Sequence, residues 1–378
     1  MTEAGRRTRK VRLLWGAAAL VLLAGAAVLT AVIVGGRGTA EAPLPPSAGP
    51  EPECSYYVSP KGSDEGPGSS TQPWRTINAS LAKLVAGNTL CVRAGTYDEE
   101  VTAQPPRGNP GARITLTGLG SPDERPVIHG GFALVDPDYW TISGLRFTNP
   151  SPSNDDQRLV SILGGTGWLF EDNEVVDGPY AGLLVGASEN SGPPEDYTIR
   201  GNVVHGTGAT NLYLNPSRFS TGGLVEQNVF FDSGTENVKL GWGGDNGCTG
   251  SRFRDFGIGE VTFRYNTLHD AERGALIIAE PGGLHAVDVY RNLFTGEPDH
   301  LVRYDSVDGC LGNRVSVRDN AGGLAPKFSE DFGDSPVNRA REHGNVFPID
   351  PEYRSTGADG FVPGNPEAES FGRYGSGE

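Results

Sequence analysis

The sequence predicts an all-β chain wound as a single-stranded, right-handed parallel β-helix. Three observations carry this. Gly and Pro are abundant (55 and 28 of 378 residues), Met occurs once and only 21% of residues are charged, which favours many short strands and turns over long helices. A strand ending in Asn recurs: "WLFEDNEVVDG" from 168, "YTIRGNVVHGT" from 197, "GLVEQNVFFDSG" from 223, "VTFRYNTLHDA" from 261 and "VDVYRNLFTGE" from 287. Between consecutive Asn residues lies a second apolar run, as in "AGLLVGA", "TNLYLNP", "ENVKLGW", "GALIIAE" and "HLVRYDS".

At the front, residues 1–12 are basic and are expected to face the cytoplasm. Arg6, Arg7, Arg9, Lys10 and Arg12 precede an uncharged run of 24 residues from Leu13 to Gly36. A spanning helix needs ~20 residues and a signal-peptide core only ~7–15, so residues 13–36 are expected to form one transmembrane signal anchor. Everything after Arg37 would then be extracytoplasmic, or secreted if the anchor is cleaved. Residues 37–53 are rich in Pro, Ala and Glu without an apolar period and read as an extended linker. Setting aside Glu3 and the six basic residues up to Arg37 leaves 25 Lys and Arg against 46 Asp and Glu. That sign excludes nucleic acid as a partner.

Residues 54–325 carry the repeat. Asn173, Asn202, Asn228, Asn266, Asn292 and Asn320 are separated by 29, 26, 38, 26 and 28 residues, a period that marks stacked supersecondary units. A propeller blade would need four strands in ~40–45 residues, and a leucine-rich repeat would fix Leu at set positions. Neither fits. In a β-helix the Asn falls at the same corner of each coil, tolerates left-handed geometry and bonds to the Asn above and below. The long 38-residue gap carries the insertion "GGDNGCTGSRFRDFGIG", which maps to a loop on one face. Four cysteines in an exported domain suggest two disulfides, expected as Cys54–Cys91 and Cys248–Cys310. Residues 326–378 read as an irregular segment ending in a disordered tail.

Residues 56–100 hold "YYVSPKGSD", a Gly/Ser loop, "QPWRTINASL" and "GNTLCVRAGTYDE". This opening segment resembles that of right-handed β-helix proteins of the pectate-lyase-like superfamily, including polysaccharide-lyase-related domains of unknown function. The repeats extend the resemblance over residues 56–325. It implies that a short helix around Ile77–Leu84 caps the open end of the solenoid and that an extracellular polysaccharide is the partner of a monomeric chain. It also implies lyase chemistry: Ca2+ held by several Asp neutralises a uronate carboxylate, and a Lys or Arg removes the C5 proton. The nearest segment is "DSGTENVKLGWGGDN", with Lys239 at the base position. Glu236 and Asn237 stand where acids belong, a departure that leaves Ca2+ open.

Strand alternation supplies the remaining candidates. With Val238 and Leu240 pointing inward, Asn237, Lys239 and Gly241 point outward. The same register puts Tyr213 and Asn215, then Ile277 and Ala279, then Arg303 and Asp305 outward on neighbouring coils. Arg218, Trp242, Asp245 and Glu280 flank this column from turns and loops. Tyr213 and Trp242 would be stacking surfaces, Arg303 or Arg218 the carboxylate neutraliser, and Lys239 the base. Two other readings stand beside a lyase. One is a non-catalytic cell-surface scaffold binding glycan or protein. The other is a glycoside hydrolase, which needs two carboxylates ~5–10 Å apart, as Asp245 with Glu280 or Asp305 with Asp308 would offer. His205, His269, His285 and His300 lack metal spacing and read as surface or corner residues.

Overall fold

The computed structural model describes residues 52–149, 158–215, 221–241, 258–279, 284–298, 300–305, 315–323, 327–332, 341–357 and 360–375. The chain divides into units of residues 1–49 and 50–378, and every described residue belongs to the second. The expected membrane span therefore lies outside the described residues; among those described, no helix is long and apolar enough to cross a membrane.

The described residues form a right-handed parallel β-solenoid. Its strands stack into three long parallel sheets, sheet A with 11 strands, from Tyr56–Val58 to Arg341–His343, and sheets B and C with nine each, beside a two-stranded pair of Ile258–Gly259 and Leu284–His285. Sheet B runs from Thr96–Asp98 to Ala321–Gly322, and sheet C from Val101–Ala103 to Ser329–Phe332. Alternation explains the core. Ile142, Phe170, Ile199, Val225, Phe263, Val289 and Val317 succeed one another in register along sheet A, and all are buried. On sheet B the equivalent column is Phe147, Val175, Val204, Phe230, Leu268 and Phe294. Each such side chain contributes ~1.5–3 kcal/mol on leaving water.

The Asn residues form the expected ladder. Asn173, Asn202, Asn228, Asn266, Asn292 and Asn320 are fully buried, and each Nδ2 donates to Oδ1 of the next at 2.9–3.3 Å. Asn345, absent from the sequence alignment of repeats, adds a last rung at 3.1 Å from Asn320. One detail differs from expectation: the left-handed residue is the one before each Asn. Asp172, Gln227, Tyr265, Arg291 and Asp319 have φ between 52° and 59°, and Gly144, Gly201 and Gly344 occupy the same place. That residue turns the corner, which leaves the Asn amide free to bridge coils.

Near the front, a single helical turn, Ile77–Leu81, buries Ile77, Ser80 and Leu81. Thr76 caps it, and the Glu99 carboxylate accepts from the amides of Ile77 and Asn78 at 2.8 and 3.0 Å, satisfying donors that a helix start leaves open. Cys54 and Cys91 form a disulfide; Cys248 and Cys310 lie outside the described residues.

The described residues of the C-terminal segment pack against the solenoid. Ile349, Phe361, Ala368 and Phe371 are buried; Ala368 and Phe371 cluster with Leu293 and Ala321 of sheet B. Arg373 is tied down as well, its amide to Thr267 Oγ1 at 3.0 Å and its guanidinium to Gly201 O at 3.1 Å. Widely spaced aromatics supply the apolar area that periodicity did not advertise.

Candidate functional site

The outer face of sheet C collects the chemistry. In register along it stand Ser161, Leu184, Tyr213, Lys239, Ile277, Arg303 and Glu330. The alternation argument thus places Tyr213, Lys239 and Arg303 in one column, on the strands Leu212–Leu214, Glu236–Leu240 and Val302–Asp305. Lys239 Nζ lies 5.4 Å from the centroid of the Tyr213 ring, a cation–π distance. Tyr213 is only 7% exposed, so it is a floor beneath Lys239 rather than an open stacking platform. Burial first, and the neighbouring Tyr180 phenol second, push the Tyr213 hydroxyl up to about 12, against the opposing charge of Arg158. It keeps its proton throughout the neutral range.

The column is more covered than expected. Ile277 and Ala279 are buried. Asn237, expected to point outward, is fully buried and belongs to a second, short Asn ladder. Asn211 Nδ2 donates to Asn237 Oδ1 at 2.8 Å, and Asn237 Nδ2 donates to His269 O at 3.0 Å. The physical reason is a corner. Asn237 sits just after the turn between sheets B and C, where alternation yields to the amide's need for partners. Asn237 is therefore not available to ligate a metal. Glu236 is also buried and lies 3.5 Å from Thr210 Oγ1. Among the described residues no three His, Cys, Asp or Glu side chains gather as a metal site. The described part of the Lys239 segment does not fit Ca2+.

Arg218, Trp242, Asp245, Glu280 and Asp308 lie outside the described residues. Asp305 pairs in register with Ala279 and Phe332.

Two residues missed by sequence reasoning complete the face. Tyr180, in the turn before the strand Leu183–Gly186, is 36% exposed, and the Arg158 guanidinium lies 5.7 Å from its ring centroid. The only sequence signal was an aromatic in "DGPYAGLLVG", a turn that nothing else marks.

Of the histidines read as surface or corner residues, His205, His269 and His300 are packed rather than open. His205 stacks on Phe231 with centroids 4.5 Å apart and contacts Glu174 at 3.3 Å. Burial opposes ionisation of Glu174, but the His205 hydrogen bond and Arg146, at 2.8 Å, outweigh it and hold the carboxyl below its ordinary range. His269 lies under the C-terminal segment, 4.4 Å from the Phe361 ring. Its burial lowers its pKa, with Asp270 opposing at 3.1 Å. His300 is buried too. Each is held by packing on sheet B or at its corner with sheet C, which the isolated His in the sequence did not reveal. The side chain of His285, in the short strand Leu284–His285, lies outside what is described.

Comparison with known proteins agrees with this fold. No family model matches the chain. It is 26% identical over 324 residues to the uncharacterized protein YwoF of Bacillus subtilis, covering 69% of this chain and 67% of that one. It is 29% identical over 151 residues to the pectate lyase PEL9 of Emericella nidulans, covering 40% of this chain and only 34% of the lyase. Among solved structures, XylC in complex with xylose superposes with a TM-score of 0.52 at 12% identity, covering 73% of this chain and 69% of that one. The fold is a right-handed parallel β-helix, and part of the chain is similar to a pectate lyase.

Proposed function

We propose that this chain is an extracytoplasmic, membrane-anchored protein that binds an acidic polysaccharide along the outer face of sheet C and cleaves it by β-elimination. The observation that carries the reading is Lys239, the cation placed over the buried Tyr213 ring at 5.4 Å, with Arg303 two strands further along the same column. Similarity to a pectate lyase over part of the chain supports the substrate class. The basic cluster and apolar run of residues 1–36 support the anchor.

In this mechanism the polysaccharide lies along the solenoid axis. Arg303 neutralises a uronate carboxylate, which acidifies the C5 proton. Lys239, as general base, takes that proton on Nζ. The C5–H electron pair becomes the C4–C5 double bond, the C4–O bond breaks, and the leaving oxygen takes a proton from solvent.

The test is the ultraviolet absorbance of the unsaturated uronate formed from a panel of acidic polysaccharides. Wild-type protein is expected to produce it and Lys239→Ala to lose it at least a hundredfold, the low end of general-base catalysis. Turnover that survives the substitution refutes Lys239 as the base. The burial of Tyr213 beneath Lys239 favours a second reading, a glycan-binding scaffold; a flat trace with measurable binding would establish it.

A further inference from the structure

We propose that Tyr180 and Arg158 form an outlying uronate subsite at the edge of sheet C, Tyr180 two coils and Arg158 three coils before Lys239. The inference rests on the polysaccharide reading and adds a position and a specificity to it.

Three observations carry it. Among the described residues Tyr180 is one of four large apolar side chains left exposed, at 36%, and Arg158 stands over its ring at 5.7 Å while exposed itself. The pair is continuous with the proposed centre: Tyr180 lies on the coil next to that of Tyr213, its carbonyl accepting from Ala209 N at 2.8 Å, and Lys239 is over the Tyr213 ring. The row thus reads cation, aromatic, aromatic, cation. The backbone fixes its spacing. Ala209 N donates to Tyr180 O at 2.8 Å and Thr235 N to Ala209 O at 3.0 Å, so Tyr180 belongs to the coil two before that of Lys239. Two strand spacings amount to about 10 Å along the axis, and the four residues from Thr235 to Lys239 add about 13 Å along the strand, on the order of three sugar residues in all.

The chemistry selects the ligand. A phenol ring offers a flat apolar surface to the C–H face of a pyranose, and a guanidinium offers a planar fork that matches a carboxylate. A neutral sugar would use only the first. The subsite therefore favours a uronate about three residues away from the one being cleaved.

The test uses saturated uronate oligomers from trimer to hexamer, with neutral xylo-oligomers as controls. In wild type, kcat/KM is expected to rise about tenfold once the oligomer reaches Tyr180, the effect of one modest contact. Tyr180→Ala and Arg158→Gln, checked for native folding by circular dichroism, are expected to bring that ratio to within about twofold of unity. Tyr180→Phe should restore it, because the platform needs no hydroxyl. A length gain that persists in both variants overturns the subsite. So does equal affinity for neutral and acidic hexamers. If no uronate is turned over, the elimination reading fails separately. The subsite is then judged by titrating the labelled hexamer, whose affinity should fall in Tyr180→Ala and Arg158→Gln; unchanged affinity overturns it.

Discussion

Replacing Asn228 by Ala tests how much one rung of the Asn ladder is worth. The Asn228 side chain makes five hydrogen bonds. Its Nδ2 donates to Ile199 O, Glu226 O and Asn266 Oδ1 at 2.9–3.0 Å, and its Oδ1 accepts from the amide and the side chain of Asn202 at 3.0 and 2.9 Å. The site is fully buried, so the partners left behind face a cavity. Asn202 Nδ2 and Asn266 Oδ1 each keep other partners, whereas Asn202 N loses this acceptor. At ~1–3 kcal/mol for each buried group left wanting, the expected loss is about 3 kcal/mol. Asn345→Ala, at the half-buried end of the ladder, should cost about 1 kcal/mol, because water replaces the missing amide. Asn228→Asp should be worse than Ala, since it turns acceptors and charge toward the carbonyls of Ile199 and Glu226. Urea unfolding, followed by fluorescence and circular dichroism, reads these losses as midpoint shifts at constant slope. An Asn228→Ala loss below about 1 kcal/mol, or one equal to that of Asn345→Ala, refutes the ladder as the main corner brace.

Three further outcomes follow from other sites. His269 is held below its ordinary value by burial, so the unfolded chain takes up the proton first as pH falls. Docking of the C-terminal segment should be fully present above pH ~6.5 and weaken below it; amide exchange of residues 360–375 should show this, and His269→Gln should flatten the dependence. Phe361→Ala removes a buried ring that touches His269, Tyr353 and Phe231. It should cost about 3 kcal/mol in urea unfolding and raise the His269 pKa, read by NMR titration. Cys91→Ser opens a link between residues 37 apart in sequence and should cost about 3–4 kcal/mol; reducing the wild type should lower the unfolding midpoint by the same amount.

The fold was legible because a solenoid writes its period into the chain. Every coil must bury the same inward positions and turn the same corner, so "NEVV", "NVVH", "NVFF" and "NTLH" repeat. The column Tyr213, Lys239 and Arg303 followed from alternation. It failed at Asn237, where a corner reverses the direction a strand would dictate. Tyr180 and Arg158 were hidden because they lie where no period operates. The C-terminal packing was hidden because Tyr353, Phe361 and Phe371 are separated by Gly and Pro turns, so their apolar area shows no helical or strand spacing. Burial of His269 depends on that packing and could not be read before it.

The most direct test of the central claim is to run the reaction on an acidic polysaccharide in heavy-oxygen water and weigh the products. Elimination breaks the C4–O bond without adding water across it. The account predicts unsaturated fragments free of solvent oxygen from the wild-type protein and none from Lys239→Ala. Saturated fragments carrying one solvent oxygen would show hydrolysis and contradict it.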